Sequence, residues 1–328
     1  IQSVSPLELH FTITAPFWKR GWFYLLGLAI AILLVYLIVK YREQKLRYQK
    51  QLLETEVANQ TVVLRKQKAE IEQKNRDITD SINYAQRIQN SILPPLANLQ
   101  GAFKESFIFF KPRDIVSGDF YWFNRTNNTV VICCADCTGH GVPGAFMSMI
   151  GTTILNDIFK LPEVDSPAAL LERLDKELKI MLHRNHDMDT NDGMDISVVE
   201  INLSTYRIRI ASAKRPVYLF LDGQFVEYKG NRRSIGDKST DQYNTPFNNI
   251  VYSGQKGDLV YLYSDGYSDQ FGGPNGKKLM TTGVKGVLKN IVHLPMNEQG
   301  DFIANQFQQW KGRMEQIDDV IFMGVKLP

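Results

Sequence analysis

The chain has 328 residues, of which 44% are hydrophobic, and a formal net charge of +3. This length allows one large domain or two ordinary ones with appendages, and the small charge argues against a general nucleic-acid-binding protein. All three cysteines lie within residues 133–137, which excludes a disulfide framework and favours a reducing compartment. Because the chain starts at Ile1 within a strand-like pattern, we expect it to be the C-terminal part of a longer protein.

Residues 21–39 are strongly apolar and carry no charge. As a helix they would extend over about 28 Å, which is close to the thickness of the hydrocarbon core of a bilayer. Tryptophan and tyrosine residues flank both ends, as they do at membrane interfaces. The alternatives are a buried core helix and a signal sequence, but the stretch lacks the short apolar core and small-residue cleavage site of the latter. We therefore predict a transmembrane helix at residues 21–39.

Basic residues predict how this helix is oriented. Only Lys19 and Arg20 precede the apolar segment, whereas five basic residues follow it closely: Lys40, Arg42, Lys45, Arg47 and Lys50. The positive-inside rule then places the bulk of the chain in the cytoplasm, as a single-pass protein of the inner membrane. Residues 1–20 would lie outside, where the alternation of residues 7–14 predicts the last strand of an external β-domain.

Residues 42–92 contain no glycine or proline and repeat apolar residues every seven positions. A second series of core positions carries several polar residues, which predicts a marginally stable, parallel two-stranded coiled coil over residues 40–92. The protein would then be a homodimer through this stalk; a single amphipathic helix lying on its own domain is the alternative. Pro94 and Pro95 should end the helix. The apolar spine comprises Val57, Leu64, Ile71, Ile78, Ala85 and Ile92.

From residue 93 to residue 328 the pattern changes to many strands with helices grouped between them. Two helices are predicted at residues 144–159 and 166–182, the second with one apolar face. Grouped helices and many strands indicate an α+β fold rather than an alternating parallel-sheet fold. The predicted strands are residues 106–112, 129–136, 195–202, 206–213, 216–223, 258–266 and 320–327.

Acidic residues recur where predicted strands begin or end. Asp119 closes the segment "VSGD", Asp136 and Asp265 end strands, and Asp318 and Asp319 directly precede the last one. Hard divalent cations such as Mg²⁺ and Mn²⁺ prefer such oxygen donors, with water in the remaining positions. A single aspartate at a strand end is usually a turn residue, but the recurrence suggests a shared metal site.

The segment "CCADCTGH", residues 133–140, also contains the residue types of a zinc site. Cys133 and Cys134 are adjacent in a predicted strand, so their side chains should point to opposite faces. At most one of them could join Cys137 and His140, which is too few for a structural zinc site. We therefore interpret the cysteines as small core residues and assign the chemistry of the segment to Asp136.

Four motifs in this part of the chain resemble those of a known family. The motifs "SGDFYWF", "DCTGHG", "GDLVYLYSDGYSD" and "DDVIFMGV" occur in the same order as in the metal-dependent serine/threonine protein phosphatases of the bacterial SpoIIE type, in the PPM superfamily. The resemblance covers the chain from about residue 92 to its end. It implies an α-β-β-α sandwich of two antiparallel sheets flanked by helices, with two divalent metal ions, Mn²⁺ or Mg²⁺, at one end.

The resemblance also implies roles for single residues in the first two motifs. Asp136 would bridge both metal ions, and the backbone carbonyl of Cys137 would complete one site. Asp119 would bind the second ion, directly or through water. A water between the two ions would lose a proton near neutral pH and attack phosphorus in line, without a covalent enzyme intermediate.

The later motifs supply the remaining acidic ligands. Asp265 and Asp318 would hold the other ion, with the neighbouring Asp319 left open as an alternative to Asp318. The chain departs from the family in one turn, which reads "SAKRPVY" where relatives often have an "AGxxP" turn containing Gly-His. Because that turn is not expected to supply metal ligands, the departure does not put activity in doubt, and we expect it to alter the substrate-facing surface.

Two further residues have alternative interpretations. Arg113 could clamp a phosphate dianion, or could be a surface residue paired with Asp114. His140 could be a general acid for the leaving seryl oxygen, or could shape a tight turn together with its two flanking glycines. The histidines His183 and His186 are predicted to be helix-end or loop residues.

The N-terminal part resembles known receptors. The segment "FTITAPFWKRGWFYLL" is similar to the junction between an external Y_Y_Y-type β-domain and a membrane helix, and "SINYAQRIQNSILPP" is similar to the segment that leads into many SpoIIE-type domains. Together these imply a sensor-controlled phosphatase whose substrate is a phosphorylated regulatory protein, such as an anti-sigma-factor antagonist. The alternative is a catalytically silent dimeric scaffold. The segment "SGDF" also suggests a diguanylate cyclase, but the chain lacks the rest of the nucleotide-cyclase pattern.

Overall fold

The computed structural model describes residues 16–182, 192–236 and 245–328, and the chain divides into two units at Asp77/Ile78. The predicted strand at residues 7–14 and the two histidines His183 and His186 lie outside the described residues. After a 3₁₀ turn at Phe17–Lys19, the helices are α1 (Gly21–Ile92), α2 (Leu96–Ala102), α3 (Gly141–Ile158), α4 (Pro167–Leu182), α5 (Asp265–Asp269), α6 (Met280–Ile291) and α7 (Met296–Lys311).

Twelve strands are assigned within the described residues. They are β1 (Ser106–Lys111), β2 (Phe120–Thr126), β3 (Thr129–Cys137), β4 (Met194–Asn202), β5 (Arg207–Ala213), β6 (Val217–Leu221), β7 (Gln224–Tyr228), β8 (Ile250–Ser253), β9 (Leu259–Tyr263), β10 (Phe271–Gly272), β11 (Lys277–Lys278) and β12 (Val320–Lys326).

The first unit contains the N-terminal part of α1. By length and composition, α1 is the one helix within the described residues that could cross a membrane. The spine residues Val57, Leu64 and Ile71 are each more than half exposed in the single chain. The polar surface of the same segment carries ion pairs one turn apart, such as Lys74 with Glu70 at 2.9 Å, each worth about 0.3–0.5 kcal/mol. A helix cannot cover its own apolar stripe, so stable burial of the spine needs another surface.

The second unit contains two five-stranded antiparallel sheets. One has the order β1-β12-β9-β6-β7 and the other the order β2-β3-β4-β5-β8. Alternation along β3 separates its side chains as predicted: Ile132 and Cys134 join one apolar cluster, whereas Cys133 and Ala135 join another. The cluster of Ile132 and Cys134 also contains residues of β6, β9 and β12, so it lies between the two sheets.

Helices cover the outer face of each sheet. The amphipathic helices α3 and α4 pack with β2, β3, β4 and β5 through residues such as Leu155 and Leu174. Helices α6 and α7 pack on the other sheet through Leu288 and Phe307. The predicted α+β fold, with grouped rather than alternating helices, is confirmed. Helix α3 begins three residues before the predicted start because Pro143 is tolerated in a first helical turn.

Helix α1 ends at Ile92, as the two following prolines predicted. Its last residues, from Ile78 onward, belong to the same unit as the sheets. Gln86 donates a hydrogen bond to the Ile115 carbonyl at 2.7 Å, and Gln89 donates to the Ser117 carbonyl at 2.6 Å. The C-terminal end of α1 is thereby fixed to the loop that precedes β2.

Candidate active site

The acidic residues predicted from strand ends come together in the second unit. Asp136 lies near the end of β3, Asp265 follows β9, and Asp318 precedes β12, so both sheets contribute. Burial and then the charge of Asp265 raise the pKa of Asp136 well above its ordinary value. Burial, followed by the charge of Asp136, does the same for Asp119. A charged carboxylate raises the pKa of another only when the two lie close together, so Asp119, Asp136 and Asp265 belong to one site.

Asp119 is almost fully buried, with 2% of its surface exposed. It accepts a hydrogen bond from Ser264, the residue before Asp265. Its Oδ2 atom is buried and, within the described residues, has no hydrogen-bond partner. A buried carboxylate oxygen without a donor is unfavourable, and a bound cation would satisfy it.

The neighbouring residues Asp318 and Asp319 have different environments. Asp319 is 1% exposed, and its two oxygens accept the backbone N–H groups of Arg113 and Gly118, each at 2.7 Å. Asp318 accepts the N–H of Asp319 at 2.9 Å, and burial, followed by the charge of Asp265, raises its pKa despite that hydrogen bond. Asp319 therefore fixes the loop before β2, whereas Asp318 faces the other carboxylates.

Two residues of this site were not expected from the sequence. Arg215 lies among the carboxylates, with Nη2 at 3.0 Å from both Asp195 Oδ2 and Asp265 Oδ2 and Nη1 at 3.6 Å from Asp136 Oδ2. Asp195 on β4 lies opposite Asp136 on β3 in the antiparallel register of the two strands. The position of Asp195 at the start of a predicted strand was a usable signal, whereas nothing in the "SAKRPVY" segment indicated that Arg215 would contact the acidic residues.

The three cysteines lie in the core of the second unit. All three are buried and unpaired, and burial raises the pKa of each thiol. Cys137 ends β3 and lines a cavity of about 260 Å³ together with Asp136, Asp195 and Asp265. Cys133 faces the α3–α4 side of its sheet and Cys134 the other side, as expected for core residues.

His140 and Arg113 lie at the edge of this site. His140 is half exposed, precedes α3, and places Nδ1 at 3.0 Å from Asp114 Oδ2. Arg113 Nη1 donates a hydrogen bond to the Ile317 carbonyl at 3.0 Å. Arg113 and His140 line one further cavity, together with Asp114.

Glycines shape the turn around His140. Gly139 and Gly141 have φ values of +87° and +66°, which side chains with a Cβ rarely adopt. A Cβ atom on Gly118 or Gly144 would lie within 2.5 Å or 2.3 Å of the Gly139 carbonyl oxygen. The loop before Asp119 and the turn after Asp136 therefore approach each other at van der Waals contact.

The oxygen atoms that this site offers are of the type that hard divalent cations prefer as ligands. They are carboxylate oxygens, one of them the unpartnered Oδ2 of Asp119, in a buried site with raised pKa values. Across the described ranges, however, no three acidic, cysteine or histidine side chains already surround a single point at metal-binding distance. Two of these carboxylates, those of Asp136 and Asp265, contact the Arg215 guanidinium instead.

This combination of fold and site defines the class of the protein. The SiaA-PP2C domain of Pseudomonas aeruginosa is 30% identical and superposes with a TM-score of 0.70, covering 77% of this chain and 98% of that one. The PP2C phosphatase domain of SpoIIE from Bacillus subtilis, with a fragment of its regulatory domain, has the same fold at 15% identity, with a TM-score of 0.54 over 68% of this chain and 62% of that one. The second unit is a PP2C-type protein serine/threonine phosphatase domain.

The chain belongs to the SpoIIE family, since the family described as "Stage II sporulation protein E (SpoIIE)" matches residues 126–328. Asp119 and Arg113 precede the matched range. The "Phosphoserine phosphatase RsbU" of Bacillus subtilis (strain 168) is 24% identical over 199 residues, which is 59% of this chain. The match spans 55% of the length of that relative.

Proposed function

We propose that the protein is a membrane-bound, sensor-controlled phosphatase that hydrolyses phosphoserine or phosphothreonine on a regulatory protein. The observation that carries this proposal is the cluster of Asp119, Asp136, Asp265 and Asp318, with Asp119 buried, within a SpoIIE-family domain. The similarity to a phosphoserine phosphatase supports the substrate class. An anti-sigma-factor antagonist is the proposed type of substrate protein, by the family resemblance.

The carboxylates would hold two divalent cations, Mn²⁺ or Mg²⁺. Asp136 would bridge them, the Cys137 carbonyl would complete one site, and Asp265 with Asp318 would hold the other ion; Asp119 would use its unpartnered Oδ2. When bound, such ions supply an activated attacking water and neutralise charge on the phosphoryl oxygens. Asp319 would orient the loop rather than bind an ion, because both of its oxygens already accept backbone N–H groups.

His140 and Arg113 would act at the entrance to the site. The Asp114 carboxylate holds Nδ1 of His140, which leaves Nε2 available to protonate the leaving seryl oxygen. Arg113 donates to a backbone carbonyl, and its exposed guanidinium would contact the substrate protein around its phosphorylated residue.

We further propose that residues 21–39 cross the inner membrane with the phosphatase domain in the cytoplasm, and that residues 40–92 form a parallel coiled-coil homodimer. The apolar composition and length of α1 support the span, and the basic residues after it support the orientation. The exposed heptad spine supports a second helix as its cover. A Y_Y_Y-type external domain would supply the stimulus, by the resemblance of the N-terminal segment.

Movement of the stalk would reach the active site through Gln89. This residue is 4% exposed and donates hydrogen bonds to the Ser117 carbonyl and, at 2.8 Å, to Ser148 Oγ on α3. The Ser117 N–H donates back to Gln89 Oε1 at 3.2 Å. Ser117 is two residues before Asp119, so a rotation of α1 would displace the loop that carries this carboxylate.

The Gln89→Ala variant is expected to release phosphate from a phosphoserine peptide about tenfold more slowly than the wild type. It leaves a buried N–H group without its partner, which costs about 1–3 kcal/mol and loosens the loop before Asp119. The measurement is kcat of the full chain in detergent with saturating Mn²⁺. Asn90→Ala, at the exposed neighbouring position, is the control. A folded Gln89→Ala variant with the wild-type rate would contradict the relay.

The proposed function is tested by incubating the full chain, in detergent, with a phosphoserine peptide and Mn²⁺. We expect phosphate release that requires Mn²⁺ and stops when EDTA is added. A folded chain that binds no Mn²⁺ and releases no phosphate would instead favour the catalytically silent dimeric scaffold.

A further inference from the structure

The turn between β5 and β6 carries a cation that the proposed reaction does not yet use. The two strands belong to different sheets, so the turn crosses between them beside the acidic site. Lys214 adopts a left-handed conformation with φ of +59°, and its N–H donates to the Asn231 carbonyl at 2.8 Å. The Arg215 N–H donates to the Ala213 carbonyl at 2.7 Å, and the Ser212 hydroxyl donates to the Arg215 carbonyl. These bonds fix the backbone from which the Arg215 side chain enters the site.

The guanidinium of Arg215 is largely buried, with 15% of the side chain exposed. Burial alone would lower the pKa of this group, but the charges of Asp136, Asp265 and Asp195 together raise it, so it stays protonated. Its Nε atom is buried and has no acceptor in the described part of the chain. A charged donor group thus lines the cavity beside the catalytic carboxylates, with one N–H still unused.

Asp195 holds Arg215 in a different way from the other two carboxylates. Its Oδ1 accepts a hydrogen bond from the Ser234 hydroxyl at 2.5 Å, and Lys214 Nζ lies 3.8 Å away. Its Oδ2 lies 3.0 Å from Arg215 Nη2. Asp195 has no role in the proposed metal binding, so its contact with Arg215 can persist when Asp136 and Asp265 bind cations.

We propose that Arg215, positioned by Asp195, binds the phosphoryl group of the substrate. Once the carboxylates of Asp136 and Asp265 bind cations, Arg215 would lose those two partners and keep Asp195. Its remaining N–H groups would then face the cavity of about 260 Å³. There the planar guanidinium could donate two parallel hydrogen bonds to two phosphoryl oxygens. This inference rests on the proposed phosphatase function and names a binding residue for that same reaction.

The position of Arg215 distinguishes it from the arginine predicted from the sequence. Arg113 contacts the Ile317 carbonyl and lines another cavity, beside His140. Arg215 lines the cavity that also contains Asp136, Cys137 and Asp265. The phosphoryl group must approach the cations held there, so Arg215 is the arginine beside the reacting atoms.

The test is isothermal titration of the full chain in detergent, saturated with Mn²⁺, with inorganic phosphate as the probe. We expect Arg215→Gln to raise the Kd for phosphate about tenfold and to raise KM for a phosphoserine peptide more than it lowers kcat. Arg215→Lys should show an intermediate Kd, because a lysine keeps the charge but not the paired donors. Asp195→Asn should also raise the Kd for phosphate while leaving the Kd for Mn²⁺ unchanged.

Lys229→Gln removes the same charge from an exposed position and is expected to bind phosphate as the wild type does. An unchanged Kd for phosphate in Arg215→Gln would overturn the inference. Weaker Mn²⁺ binding by Arg215→Gln in the absence of phosphate would also overturn it, since Arg215 would then support the metal site. If the wild type released no phosphate from the peptide, the proposed function would fail, whereas the phosphate titration would still decide the role of Arg215.

Discussion

The Asp136→Asn variant is expected to release phosphate more than about 100-fold more slowly than the wild type, and to lose most of the rise in melting temperature that Mn²⁺ produces. An asparagine offers one neutral carbonyl oxygen where a carboxylate offers two charged ones, so it cannot bridge two cations. Ligand binding at about 100 times Kd stabilises a protein by about 2.7 kcal/mol, which a melting curve detects readily. Phosphate release and thermal unfolding of the full chain, with and without Mn²⁺, are the measurements.

Two variants control this experiment. Asp301→Asn makes the same change at an exposed position on α7 and should keep the effect of Mn²⁺ on the melting temperature. Cys137→Ser replaces the sulfur but keeps the backbone carbonyl, so it should also keep that effect. If Cys137→Ser lost the effect while Asp136→Asn kept it, the thiol rather than the carboxylate would be the ligand.

Substitutions of Asp318 and Asp319, the adjacent aspartates before β12, are expected to change different properties of the protein. Asp319→Asn should lower the unfolding free energy of the metal-free protein by about 1–3 kcal/mol, seen as a fall of several degrees in melting temperature. The amide cannot accept both the Arg113 and Gly118 N–H groups, and one buried donor is left unpaired. Asp318→Asn should instead keep the metal-free stability and weaken Mn²⁺ binding, because its carboxylate faces Asp265.

Melting curves of both variants, recorded in EDTA and over a series of Mn²⁺ concentrations, separate the two effects. Each variant is the matched control of the other, since both remove one charge from neighbouring positions. The reverse pattern, with Asp319→Asn defective only in Mn²⁺ binding and Asp318→Asn unstable without metal, would transfer the proposed ligand role to Asp319.

The parts of this molecule that depend on local sequence were predictable. Pro94 and Pro95 determine the end of α1, because a proline cannot continue a helix. The alternation of a strand assigns Cys133 and Cys134 to opposite faces before any tertiary contact is known. The aspartates of the site were found because each lies beside a strand-like run, and their meeting at one site follows from the family's motif order.

The missed features depend on contacts between distant segments. Arg215 enters the acidic site because the turn after β5 crosses from one sheet to the other, and no local pattern reveals that crossing. Helix α6 was not predicted, since Gly283 and Gly286 weaken its helical signal and packing of its apolar face on a sheet compensates. The contact between Asp114 and His140 likewise joins two loops that are 26 residues apart.

The central claim is that Asp136 and its neighbours bind two divalent cations. The most direct test is a crystal of the protein soaked in Mn²⁺, with anomalous scattering measured to locate the metal. We predict two peaks beside the Asp136 carboxylate, with oxygens of Asp119, Asp265 and Asp318 and the Cys137 carbonyl as ligands, directly or through water, and with Arg215 moved away from Asp136 and Asp265. An ion bound by a cysteine sulfur, or no anomalous peak at Asp136 while Arg215 keeps its present contacts, would contradict the claim.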